Sequence, residues 1–173
     1  MGDTTFLRGD RLSLRAVEPT DLDFLRQYQN DPDLRGRLTR AFPQTISDAE
    51  SFLNSVTVRD NLAFIATEGG DRVGFVALFD VEHVPGRARL GYWVVPEHQG
   101  QGYATEMVTL VVDYAFDELR LHKVTADTLA SNEASGRVLE KCGFEREGVL
   151  REHEYIDGEH VDSHLYAVLR SSR

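Results

Sequence analysis

The run Gly91-Tyr92-Trp93-Val94-Val95-Pro96-Glu97-His98-Gln99-Gly100-Gln101-Gly102-Tyr103-Ala104-Thr105-Glu106 decides the fold. It opens as an apolar strand, is stopped by Pro96, passes through Gly100 and Gly102, and at once enters a helical pattern. The first turn of a helix carries N–H groups without intrahelical partners and the positive end of the peptide dipoles. Glycines just before it let main chain approach an anion without a Cβ in the way. A dinucleotide fingerprint would need a third glycine where Thr105 stands, and a P-loop would need a lysine, which the run lacks. The spacing that fits is Q-x-x-G-x-A, at Gln99, Gly102 and Ala104.

Downstream, Ala104, Met107, Val108, Val111, Val112, Ala115 and Leu119 recur at three- and four-residue intervals, a strong helical pattern. A strand follows over 124–129, and the intervening helix makes it a parallel neighbour of the strand ending at Val95. A short helix from Glu133 to Cys142 ends at Gly143, and a final hairpin, 148–156 and 159–169, turns at Asp157-Gly158. Upstream, 7–17 alternates as one strand, with Leu12 and Leu14 inward and Arg11, Ser13 and Arg15 outward. Thr20 is the expected N-cap of a helix presenting Leu22, Leu25 and Tyr28, and Asp31-Pro32 ends it. The stretch 33–45 has no clean period and is expected to be a substrate loop. Ser47 and Glu50 match a capping box before a helix burying Ala49, Phe52, Leu53 and Val56. Strands at 62–67 and 72–81 meet at Gly69-Gly70-Asp71, and a third runs over 88–95.

Length and composition bound the answer. A chain of 173 residues with 41% hydrophobic and 28% charged residues is ordinary material for one globular domain, taken as 1–173. No run approaches the roughly 20 apolar residues of a membrane span. Asp3, Arg8, Asp10, Arg11 and Arg15 break up any secretory leader, so a cytoplasmic protein without a membrane partner is expected. Cys142, the single cysteine, excludes an internal disulfide and reads as a packing residue. His160 and His164 fall four apart in a strand, about 13 Å at about 3.3 Å per residue, too far to share a metal. The net charge of -10 argues against a nucleic-acid surface and suits a cationic amine. Only Lys123 and Lys141 are lysines; salt adaptation or a GC-rich source would each produce such a composition.

The element order β-α-α-β-β-β-α-β-α-β-β, with the runs L-G-Y-W-V, Q-G-Q-G-Y-A-T-E, S-N-E-A-S, K-C-G-F, E-G-V-L-R and E-Y-I-D-G, resembles the GNAT superfamily of acetyl-CoA-dependent N-acetyltransferases from Leu7 to Leu169. Within it the runs look like the branch of Rim-type ribosomal-protein N-terminal acetyltransferases. The resemblance implies an α/β (α+β) domain, a mixed central sheet of about seven strands with helices on both faces, and a splayed parallel pair at the cofactor cleft. It implies acetyl-CoA as co-substrate, no metal, and an amine acceptor, either a protein N-terminus or a small molecule such as a polyamine, an amino sugar or an amino acid. A non-catalytic acyl-CoA sensor is the rival from another class. Relatives often pair, which makes a homodimer a candidate assembly.

By the same resemblance, the main chain of Val94 and Val95 would hold the pantetheine arm. The amides of Gln99, Gly100, Gln101, Gly102, Tyr103, Ala104 and Thr105 would hold the pyrophosphate, and Asn132 would touch the cofactor arm. Ser135 falls where relatives place a hydroxyl near the sulfur, and Glu154 where Rim-type enzymes carry a glutamate facing the amine, as base or as amine anchor. Arg89 stands where many relatives have an acidic residue, so a base there is ruled out. At pH 7 an α-amine with pKa about 8 needs about 1.4 kcal/mol to be neutral, and a lysine at about 10.4 needs about 4.6 kcal/mol, so a weak base or a water chain suffices for the former. The Val94 N–H is the expected oxyanion donor. Glu106 is expected to offset the helix dipole. Tyr103 is open to two readings, a cover for the cofactor or a packed aromatic, and Glu82 and His83 are spare proton acceptors.

Overall fold

The computed structural model describes residues 4–57 and 61–173. Its strands are β1 (Leu7–Arg8), β2 (Ser13–Ala16), β3 (Leu62–Glu68), β4 (Asp71–Glu82), β5 (Arg87–Val94), β6 (Lys123–Leu129), β7 (Glu145–Ile156) and β8 (Glu159–Leu169). Its helices are α1 (Leu22–Gln29), α2 (Pro32–Arg35), α3 (Ile46–Thr57), α4 (Tyr103–Asp117) and α5 (Glu133–Lys141). The strands form one sheet in the order β1-β2-β3-β4-β5-β6-β8-β7. Every pairing is antiparallel except that of β5 with β6.

Helices cover both faces, which is why residues 63–67 and 73–78 are buried without alternation. On one face Met107, Val108, Val111, Val112 and Ala115 of α4 and Leu139 of α5 pack on Leu14, Phe64, Val76 and Leu78. On the other, Phe24 and Leu25 of α1 and Leu34 of α2, flanked by Phe52 and Leu53 of α3, pack on Ile65, Phe75, Ala77 and Trp93. Each fully buried aliphatic side chain contributes roughly 1.5–3 kcal/mol relative to exposure. No helix among the described residues is long and apolar enough to cross a membrane.

Four expectations are corrected. The single strand over 7–17 is a short hairpin, turned where Gly9 N–H donates to Leu12 O at 2.8 Å, which raises the sheet to eight strands. Arg15 is not outward: it is buried in a paired contact with Asp21, at 2.7 and 2.8 Å. Asp21 also accepts from Glu18 N–H at 2.9 Å and from Arg72 at 3.2 Å, so Asp21 rather than Thr20 fastens the start of the first helical segment. The capping residues of α3 are Thr45 and Asp48, each accepting the other's N–H, rather than Ser47 and Glu50. Ala49 is buried, and the earlier cap lets the helix begin at Ile46.

Burial alone would raise the Asp21 carboxyl, but the Arg15 hydrogen bonds, the Glu18 N–H and the charges of Arg15 and Arg72 outweigh it and hold it below the usual carboxylate range. A depressed folded-state pKa adds stability above the unfolded value of about 3.9, lost as pH falls through the folded value. Asp21→Asn leaves the buried Arg15 guanidinium facing a neutral amide. It is expected to lower the unfolding free energy by about 3 kcal/mol near pH 7, with the loss shrinking below about pH 4, as urea denaturation across pH would measure.

Candidate active site

The site begins where two strands part. β5 and β6 pair only over Arg87–Arg89 and Lys123–Thr125, although β5 continues to Val94 and β6 to Leu129. Against β4, Val94 lies opposite Gly74, and the next N–H, that of Val95, donates to Val73 O at 3.0 Å. Val94 and Gly74 are therefore a non-hydrogen-bonded pair, and so are Tyr92 and Val76 two residues earlier. The main-chain N–H and C=O of Tyr92 and Val94 point away from β4, to the side that β6 has left. Val94 O accepts from Gln99 Nε2 at 3.1 Å. Val95 differs from expectation: its N–H is taken by Val73 and its carbonyl by His98 N–H, at 2.9 Å. It offers nothing to a cofactor arm, because alternate residues of a strand face opposite edges.

Beyond β5 the chain makes a short 3₁₀ turn, Pro96–His98, and reaches the glycines. Gly100 and Gly102 have φ of 76° and 84°, the left-handed region in which a side chain is strained. Gln99 N–H turns back to Pro96 O at 3.3 Å, and Glu106 N–H is the first of α4 to bond within the helix, to Gly102 O at 3.2 Å. Among the described residues, the N–H groups from Gly100 to Thr105 between them have no protein acceptor. A run of main-chain donors at a helix N-terminus binds an anion.

Glu106 does more than offset the dipole. Its Oε1 accepts the N–H groups of Arg11 and Leu12, both at 2.9 Å, tying the β1–β2 turn to α4. Burial alone would push its carboxyl up; those N–H groups and Arg11 hold it below the usual range. Arg11 also donates to Gln101 O at 2.6 Å and lies over the Tyr103 ring at 4.5 Å, while the Tyr103 hydroxyl donates to Glu68. Tyr103, 3% exposed, is thus chiefly a packed aromatic that braces the loop.

A cleft of about 330 Å³ runs along this edge. Of the expected site residues, Val94, Gln99, Gly100, Gly102, Tyr103, Ala104, Thr105, Asn132 and Ser135 line it; Val95, Gln101 and Glu154 do not. Asn132 caps α5 by accepting Ser135 N–H at 3.3 Å, which fixes Ser135 in the first turn. Ser135 Oγ lies 2.7 Å from the Tyr92 hydroxyl. Burial pushes the Tyr92 phenol up to about 12, with the Ser135 hydrogen bond opposing it, so near pH 7 it is a protonated hydroxyl. Glu154 stands on β7 opposite Val161, past the last β6–β8 pair, Leu129 with Ser163. Arg89 points to Asp80, 3.7 Å away, and Glu82 is held by Arg87 at 2.7 Å.

The sequence reasoning missed four of the lining residues that matter: Tyr92 as partner of Ser135, Arg37, Thr128 and Lys141. Leu34, Arg37 and Leu38 do come from the aperiodic stretch expected to be a substrate loop. Among the described residues no carboxylate lines the cleft. Among the described residues no group of three or more His, Cys, Asp or Glu could hold a metal ion.

A mixed sheet whose one parallel pair parts beside a glycine loop and a helix N-terminus defines an acyl-CoA-dependent acyltransferase. The sequence model of the acetyltransferase (GNAT) domain matches residues 11–145, and the chain belongs to that family. It is 43% identical to the probable N-acetyltransferase YjcK of Bacillus subtilis (strain 168), over 94% of this chain and 96% of that one. It is 28% identical to a spermidine N(1)-acetyltransferase of Vibrio cholerae, over 93% and 94%. The crystal structure of spermidine N-acetyltransferase from Vibrio cholerae in complex with CoA and spermine superposes with a TM-score of 0.90 at 26% identity, covering 95% of this chain and 98% of that one. The protein is an N-acetyltransferase, and acetyl-CoA is its acyl donor. The ribosomal-protein branch is not singled out among these relatives, and the spermidine enzymes turn attention to small amines.

Gly102→Ala forces a left-handed residue to carry a Cβ, at roughly 1–2 kcal/mol. Part of that strain is relieved by swinging the loop amides away from their convergence. The expected result, read by titration calorimetry, is CoA binding weakened about five- to tenfold, with the melting temperature lowered by only a few degrees.

Proposed function

We propose that the chain transfers the acetyl group of acetyl-CoA to a primary amine of a small molecule, with aliphatic polyamines as the leading class. The observation that carries this is the near full-length likeness to a spermidine N-acetyltransferase solved with CoA and spermine. The net charge of -10 also favours a polycation over a peptide end with a single charge.

We assign the following roles, which the geometry supports. The amides from Gly100 to Thr105 take the diphosphate, and the open edge at Tyr92 and Val94 takes the amide-bearing arm. The Val94 N–H polarises the thioester carbonyl as charge builds on its oxygen. The amine attacks that carbon and the C–S bond breaks; the proton the amine sheds passes to water and on to His98, which lines the cleft where no carboxylate does among the described residues. The Ser135–Tyr92 hydroxyl pair, protonated near pH 7, supplies a proton to the departing sulfur. A thiol of pKa about 8.5 leaves readily, so this help is modest. Ser135→Ala and Tyr92→Phe are expected to lower kcat about tenfold each and the double variant little further, with CoA affinity unchanged in calorimetry.

Glu154 stands on β7 past the last β6–β8 pair and does not line the cleft. Of its two expected roles we keep the anchor, which takes a second ammonium group of a long acceptor. Glu154→Gln is expected to raise KM for spermidine about fivefold, as loss of one exposed ion pair of about 1 kcal/mol would, and to leave a monoamine unaffected. The reading itself is tested by thiol release with spermidine, spermine, an amino sugar and a tripeptide with a free α-amine. Polyamines should give the highest kcat/KM; a tripeptide faster than all of them would restore the protein N-terminus as acceptor.

A further inference from the structure

Among the described residues the cleft is lined by three basic side chains, Arg37, His98 and Lys141, and by no acidic one, in a protein whose net charge is -10. Arg37 is the odd member. His98 and Lys141 belong to the segments flanking the donor site, whereas Arg37 comes from the turn after α2, a separate segment that also brings Leu34 and Leu38 to the cleft. Its guanidinium reaches Gln99 Oε1 at 3.4 Å, a long bond to a neutral acceptor at the entry of the glycine loop. Among the described residues it has no ion-pair partner. The neighbouring Arg35 donates to Arg40 O at 3.3 Å and does not line the cleft.

We infer that Arg37 is a donor-binding residue: its guanidinium closes over the diphosphate held by the amides from Gly100 to Thr105, exchanging the weak contact with Gln99 for a charge-assisted one. The main-chain N–H groups supply direction but no full charge, while a diphosphate carries two negative charges. A guanidinium standing at the entry of the glycine loop is the group that matches them. Because Arg37 is three residues from Leu34 and adjacent to Leu38, the same contact fastens the turn after α2 to the glycine loop once the donor is in place. The inference rests on acetyl-CoA as donor and not on the acceptor proposed above, so the two fail separately.

The test compares Arg37→Gln and Arg37→Lys with the unaltered protein by titration calorimetry with CoA and with dephospho-CoA, which keeps the diphosphate and lacks the 3′-phosphate. S-acetylpantetheine, which has neither, serves as donor in a thiol-release assay. Arg37→Gln should weaken CoA and dephospho-CoA equally, by about tenfold or more, with Arg37→Lys in between. It should also reduce the salt dependence of CoA binding and leave kcat/KM for S-acetylpantetheine unchanged. Equal loss with S-acetylpantetheine would make Arg37 a structural brace, loss confined to CoA would place it on the 3′-phosphate, and no loss would remove it from the donor site; each overturns the inference.

Discussion

Main-chain N–H and C=O groups must be hydrogen-bonded somewhere, and β5 leaves those of Tyr92 and Val94 with no strand beside them once β6 diverges after Thr125. The rest of the molecule keeps that opening in place. β4 holds the other edge of β5 from Arg87 to Val94, and β8 holds the far edge of β6 along its whole length. The gap therefore has two rigid banks. The chain leaving β5 must turn at once into α4, and it does so through two glycines in the left-handed region, which turns a row of helix N-terminal amides toward the same opening.

Charge is distributed to serve this geometry. Acidic residues dominate the chain, yet none lines the cleft, and those near it are engaged elsewhere: Glu106 with the β1–β2 turn, Glu68 with Tyr103, Glu97 with Tyr28. The donor is polyanionic and the proposed polyamine acceptor cationic; a cleft without carboxylates among the described residues suits the first, and a net charge of -10 suits the second.

What the sequence disclosed was what neighbouring residues determine. The strand, the Pro96 stop, the glycines and the periodicity of α4 lie within one short run, and their physics is local. The hairpin turns at Gly69-Gly70 and Asp157-Gly158 were legible for the same reason. Long-range pairings were not. Tyr92 and Ser135 are 43 residues apart, Glu106 and Arg11 are 95 apart, and nothing near either residue marks its partner. Arg15 read as outward by alternation because the pattern does not reveal that Asp21 is folded back beneath it. Val95 was grouped with Val94 because the sequence gives a strand's residues but not which edge each one faces; that depends on register with β4.

The central claim is that the amides from Gly100 to Thr105, with Val94, are the donor site. The most direct measurement is a titration of ¹⁵N-labelled protein with CoA, following backbone amide resonances. The account predicts that the largest shifts fall on Gly100 to Thr105 and Val94, while Val95, whose N–H stays bonded to β4, moves little. Saturable CoA binding that leaves those resonances in place and shifts another surface would contradict it.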